Sequence, residues 1–413
     1  MTYMLVAIAL WASLSIVLLV RSVGVLRALW REPTLATPVL IVESDDWGPG
    51  PEADALVLTE LAGALANVRD ADGQPAVMTL GLVLGKPDGP AILASACVEY
   101  HRDLLDDAGN APILAAIRAG CAQQVFSLQR HGLEHCWPDA LLACARVDAS
   151  LRSWLADPSA RSEVLPAALQ SRWTDASRLP SRPLARAAIE VAVREEAARF
   201  SAIFGRAPAV AVPNTFVWTS AVEEAWAASG VRCVVSCGAR HEERAADGSL
   251  APPVLRTRNG ETGAGGVRYV VRDVYFEPAR GHRAEQAWAG IAARFALGRP
   301  ALLETHRDNF TGPAAQRRSA LAELMRMLAG ACERHPDMRF MSTEALVGVF
   351  DDPGGALLLP VGRRRVAVFL RRVLAEPALS RPLKLSGLRW ILPVFGRMLA
   401  SVTPSRGKAH SDC

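Results

Sequence analysis

The sequence predicts an α/β fold built on a largely parallel sheet, either a barrel or a doubly wound arrangement, with a membrane-directed segment at each end. Three observations carry this. Strand-like apolar runs alternate with helix-periodic segments from Val39 to about Phe350, as they do where parallel strands are joined through helices. No charged side chain occurs from Met1 to Val20, a length sufficient for one helical span of a bilayer. Beyond Asp351, "VGRRRVAVFLRRVLAEP" and "RPLKLSGLRWILPVFGRMLASV" mix basic clusters with Trp390, Phe395 and aliphatic residues, the composition of helices that lie on anionic membrane surfaces.

Taken in order, residues 1–22 are expected to form a transmembrane helix. A cleaved secretory signal carries basic residues before its apolar stretch, and none stands there. Arg21, Arg27 and Arg31 follow the span instead. The expectation is a single-pass protein of a bacterial inner membrane, for which the positive-inside rule favours the cytoplasmic side for the domain, with a signal anchor that exports it as the alternative. Residues 23–38, ending in "REPTLATP", read as a linker. Residues 39–350 form the main domain. Its strands are expected at Val39–Glu43, Val77–Leu84, Gln124–Arg130, Ala209–Val212, Val231–Cys237, Arg268–Phe276 and Ala301–Thr305. Helical periodicity marks Ala53–Val68, Leu184–Phe204, Ala221–Ser229, Arg283–Leu297 and Ala314–Glu333. Residues 351–413 are the basic amphipathic tail. The Gly-rich "NGETGAGG" precedes a strand and does not join strand to helix, so phosphate-loop and dinucleotide readings both fail.

Half of the 413 residues are apolar, enough to bury a large core. The net charge of +4 is unevenly spread: Val361–Cys413 holds 11 Lys/Arg against 2 acids, leaving 35 basic and 40 acidic groups elsewhere. The body is therefore no polyanion binder, and nucleic acid is not an expected partner. Eight scattered cysteines lack scaffold spacing and suit a reducing compartment. Cys233, Cys237 and His241 are spaced C-x3-C-x3-H, but thiols in a strand such as "VRCVVSC" are ordinary core filling.

Chemistry in parallel sheets gathers at the C-terminal ends of the strands, and three ends here carry it. "LIVESDDWG" ends in Asp45 and Asp46, "LQRHGLEH" in His131 and His135, and "ALLETH" in His306. Two neutral imidazoles and one carboxylate make a three-ligand set that leaves a position for water. A second carboxylate can accept the water's proton, and a further histidine can protonate a leaving group.

These motifs resemble the polysaccharide deacetylase superfamily, the NodB-homology group that includes carbohydrate esterase family 4. "ESDDWG" is similar to its Asp-Asp motif, "HGLEH" to its His-x3-His motif and "ALLETH" to its last strand ending in His. The resemblance covers Val39 to Phe350. It implies a deformed (β/α)7-type barrel and a divalent cofactor, zinc first, on Asp46, His131 and His135. It further implies Asp45 as general base and His306 as general acid. The sequence departs from the family at the middle motif. "VAVPNTFVW" has Val212 where an Arg is usual, leaving Asn214 and Trp218 as candidate pocket residues. Asp273 is expected to orient His306, with Arg272 beside it as a replacement cation. Trp47, Arg307 and Asn309 flank the motifs and complete the expected substrate-binding set.

The resulting expectation is a membrane-tethered, metal-dependent carbohydrate deacetylase, a hydrolase of C–N bonds other than peptide bonds. Its substrate would be an N-acylated sugar of a surface polysaccharide or a lipid-linked glycan precursor. The alternatives are a catalytically silent glycan-binding or assembly protein on the same barrel, and a glycoside hydrolase.

Overall fold

The computed structural model describes residues 2–157 and 159–401. The chain divides into two compact units: Pro38–Ala292 with Pro300–Asp352, and the residues up to Thr37 with Ala293–Arg299 and those from Pro353.

The first unit is organised by a sheet of nine strands among the described residues. They are β1 (Val39–Trp47), β2 (Met78–Leu82), β3 (Phe126–Arg130), β4 (Val210–Ala211), β5 (Cys233–Ser236), β6 (Arg268–Val271), β7 (Val274–Tyr275), β8 (Ala301–His306) and β9 (Arg339–Phe340). Their order is β6-β5-β4-β3-β2-β1-β8-β7, with β9 beside the start of β1, and every pairing is parallel. All nine residues of β1 are buried, because parallel strands are covered by helices on their faces.

The two ends of that order belong to consecutive stretches of chain. β6 ends at Val271 and β7 begins at Val274, and two residues cannot bridge more than about 7 Å beyond a normal step. The sheet therefore curls until its edges nearly meet, and Arg272 sits at the seam. The single strand expected over Arg268–Phe276 is in fact these two, one at each edge. Every other expected strand is present, and β9 is additional. The helices Ala111–Ala122, Pro138–Val147 and Thr343–Asp351 were not expected. Ala, Gly and Cys dilute the apolar stripe in the first two, so the 3.6-residue period is weak.

The second unit is helical, containing Thr2–Arg21, Val23–Arg31, Arg363–Ala375, Pro377–Leu385 and Leu388–Ser401. Leu29, Val373, Leu379 and Leu383 form its core, with Phe369, Leu388 and Leu392 packed against them. Buried Arg372 ties the ends together by donating to the carbonyls of Glu32, Pro33, Leu297 and Gly298. Two expectations change here. The linker 23–38 begins as the helix Val23–Arg31. The helix expected as a single span over residues 1–22 is Thr2–Arg21, which falls short of that length and apolarity by itself. Among the described residues no single helix is long and apolar enough to cross a membrane, while Tyr3–Leu18 and Val23–Arg31, bent by 58°, pass that test together.

Candidate active site

Neighbouring residues of a strand point to opposite faces, so Asp45 and Asp46 should not share a site. A bulge makes them do so. The β1–β2 register shifts between Ser44 and Trp47, and Asp46 takes φ 71°. That left-handed conformation costs a non-glycine residue about 1 kcal/mol or more. Both carboxylates consequently line one cleft of about 160 Å³, together with His131, His135, Arg272, Glu304 and His306. Gly81 on β2 makes the room: a Cβ there would stand 2.2 Å from Asp45 Oδ1.

His131 and His135 follow β3 on a tight loop. Gly132 between them has φ 111°, and a Cβ on it would meet the Glu134 carbonyl at 2.6 Å. Nδ1 of His131 faces the Val212 carbonyl at 3.0 Å, which puts the proton on Nδ1 and leaves Nε2 as an electron-pair donor. Nε2 of His131 and of His135 lie 3.3 and 3.1 Å from Asp46 Oδ1. Glu134, fully buried, clamps the loop between Arg102 and Arg172, each 2.7 Å away. The ligand atoms of Asp46, His131 and His135 lie within 4.8 Å of one another, and Asp46 Oδ1 is buried without a hydrogen bond. An N,N,O set with an orphaned carboxylate oxygen at its centre fits a divalent cation such as zinc.

Asp45 and His306 flank this triad from adjoining strands, paired in register across β1 and β8. Arg272 Nη1 is 2.7 Å from Asp45 and 3.2 Å from Glu43, and its Nε is 3.4 Å from Glu304. Burial opposes the Asp45 charge, but Arg272 above all, with His306, outweighs it and holds the carboxyl below its usual range. Glu43 lies deeper, and burial pushes it up to about 7 despite Arg272. Nδ1 of His306 lies 2.6 Å from Glu277 Oε1. Burial opposes the imidazolium, yet the Glu277 hydrogen bond and the charges of Asp46 and Asp45 raise His306 to about 10.

The expected substrate residues are placed elsewhere. The acid on His306 is Glu277, from the turn after β7, and Asp273 does not line the cleft. Asn309 is buried behind Glu277, donating to it and to Thr305 Oγ1. The bulge turns Trp47 into the core, where its indole donates to Ser44 Oγ at 2.9 Å. Asn214 is buried and donates to the His131 carbonyl at 2.6 Å. Trp218 is buried and donates to Glu223 at 2.7 Å. Arg307 is held by Glu163 at 3.0 Å and the Pro49 carbonyl, in a smaller crevice that reaches Asp46 and His135 from another side. Glu277 carries a signal that sequence reading passed over: an acid just past a strand, followed by Pro278.

No family model and no curated protein matches the chain. Several similar solved structures are family 4 esterases or deacetylases, among them a peptidoglycan N-acetylglucosamine deacetylase and a polysaccharide deacetylase of Mycobacterium smegmatis. One is a family 4 carbohydrate esterase from Streptomyces lividans in complex with acetate. It is 12% identical, with 75% of this chain and 95% of that one covered and a TM-score of 0.35. A family 4 acetyl xylan esterase from Clostridium thermocellum, in complex with a cobalt ion, is 11% identical (78% and 94% covered, TM-score 0.33). A GH57-type branching enzyme from Pyrococcus horikoshii is 10% identical (88% and 87% covered, TM-score 0.40). At TM-scores below 0.5 these likenesses carry no weight, and the functional reading rests on the side chains of the cleft.

Proposed function

We propose that the chain is a metal-dependent carbohydrate deacetylase that hydrolyses the acetamido group of an N-acetylated sugar. The observation that carries this is the convergence of five side chains from three strand ends on one cleft: Asp46, His131 and His135 as a ligand set, with Asp45 and His306 on either side. When bound, a divalent cation supplies Lewis acidity, polarising an acyl carbonyl and lowering the pKa of a water beside it.

The chain's own groups move the protons. Asp45, kept ionised by Arg272, accepts the proton of the attacking water. His306, kept protonated by Glu277, donates from Nε2 to the departing nitrogen, so that the amine leaves neutral and acetate remains. Opposed neighbours thus give a base and an acid that coexist at neutral pH, the division of labour such a hydrolysis needs. A substrate that is lipid-linked or part of a nascent surface glycan belongs to the same proposal.

The test is acetate release from N-acetylglucosamine oligomers by the purified full chain, with metal content measured in parallel. Asp45→Asn should abolish release and retain the metal. New reducing ends without acetate would sink the proposal in favour of glycosidic cleavage. Metal binding without turnover on any acylated sugar would leave a silent glycan-binding protein.

A further inference from the structure

We infer that the helical unit is a docking surface for an anionic lipid bilayer, with Leu388–Ser401 lying in the headgroup plane. The helix has two apolar faces. Leu388 and Leu392 pack on the unit's core. Trp390, Ile391, Val394 and Phe395 recur at i, i+1, i+4 and i+5 and stand in solvent, Trp390 at 78% and Phe395 at 57% exposure. A second exposed apolar surface comes from the other end of the chain, on Thr2–Arg21, where Tyr3, Leu5, Leu10 and Ile16 are more than half exposed. An almost wholly apolar groove within the unit, lined among others by Leu18, Leu26, Phe369 and Leu392, is wide enough for an alkyl chain.

Charge selects the occupant. The described residues of this unit hold fourteen Lys/Arg, against Glu32 and Glu376 as the only acids. Glu32 is buried and bound to Arg299. Arg21, Arg27, Arg31, Arg364, Arg371 and Lys384 are exposed. A second copy of the unit would bring the same positive field and be repelled. Nucleic acid would satisfy the charge and leave the exposed Trp, Phe and Ile in water. An anionic bilayer satisfies both. The helix lies flat and does not cross, because fourteen residues reach about 21 Å, short of the roughly 30 Å hydrocarbon layer. Arg389 and Arg397 within it also need water. This inference does not depend on the chemistry assigned to the cleft.

Hydrogen exchange on the full chain tests it, with phosphatidylcholine vesicles alone or carrying about 30% phosphatidylserine. Amides of 388–401 should slow on the phosphatidylserine vesicles, and added salt should restore them. Trp390→Glu with Phe395→Glu, both exposed and so harmless to the fold, should weaken partition onto these vesicles by roughly tenfold or more. Turnover of a small soluble sugar should be unchanged. Arg364→Glu with Lys384→Glu should weaken the phosphatidylserine dependence. Equal protection on neutral vesicles would overturn the inference. So would protection that follows protein concentration or added DNA duplex without lipid.

Discussion

The two halves of the site are held in place by different means. Asp46, His131 and His135 are fixed through the backbone: a bulge with φ 71° at Asp46, a glycine at 132 that no larger residue fits, and carbonyl contacts at Val212 and His131. Asp45 and His306 are fixed through charge, Asp45 by Arg272 and His306 by Glu277 at Nδ1, with Glu304 3.8 Å from its Nε2. A metal triad demands exact positions, which rigid backbone supplies. Proton transfer demands set protonation states, which neighbouring charges supply. If this contrast is right, substitutions in the two halves fail differently.

The largest effects come from the ligand half. His131→Ala or Asp46→Ala should lose both metal and turnover, the latter on the order of a thousandfold or more, since no Lewis acid remains. Asp45→Asn should cost about a thousandfold while metal stoichiometry stays intact. Elemental analysis beside kinetics separates the two. Loss of metal in Asp45→Asn would break the contrast, because Asp45 would then be acting as a ligand.

Arg272 gives the next effect, this time on stability. Replacing it with Met leaves Glu43 and Asp45 buried without their guanidinium, and half-buried Glu304 without its own, and breaking such a buried pair costs about 3–5 kcal/mol. The double variant Arg272→Met, Asp45→Asn should recover part of that loss in urea unfolding, since one stranded charge is gone. Strict additivity would show that Arg272 does not act on Asp45.

What could be read from sequence follows the same division. The ligand half sits within short motifs, so Asp46, His131 and His135 were legible from "ESDDWG" and "HGLEH" together with the strand-end rule. Their partners are distant in sequence. Arg272 reaches Asp45 only because the sheet curls until β6 and β7 flank the seam, and periodicity over Arg268–Phe276 reports strand without reporting closure. Glu277 meets His306 across 29 residues. The aromatic and amide flanks misled for a related reason. A residue beside a motif shares its site only if the backbone turns it that way, and the bulge that gathers Asp45 and Asp46 sends Trp47 into the core.

Glu277→Gln tests the charge-held half through pH. Glu277 raises His306, so the acid form persists to high pH, with about 10 as the value in its presence. Removing the carboxylate lowers that pKa, and the basic limb of the rate profile should move to lower pH, with turnover down by roughly tenfold to a hundredfold near neutrality. A bound divalent cation acts in the same direction on wild type and variant, so the sign of the difference holds. An unmoved limb would mean that another group titrates there.

The smallest effect distinguishes a brace from a substrate contact. Asn214 donates to the His131 carbonyl and is fully buried, so Asn214→Ala should loosen the ligand loop and touch no sugar. The expected result is metal affinity weakened by about tenfold, as for other partners just behind a ligand, with KM unchanged once metal is saturating. A KM that rises at saturating metal would return Asn214 to the substrate. The backbone-held half would then rest on the bulge at Asp46, Gly132 and the Val212 carbonyl.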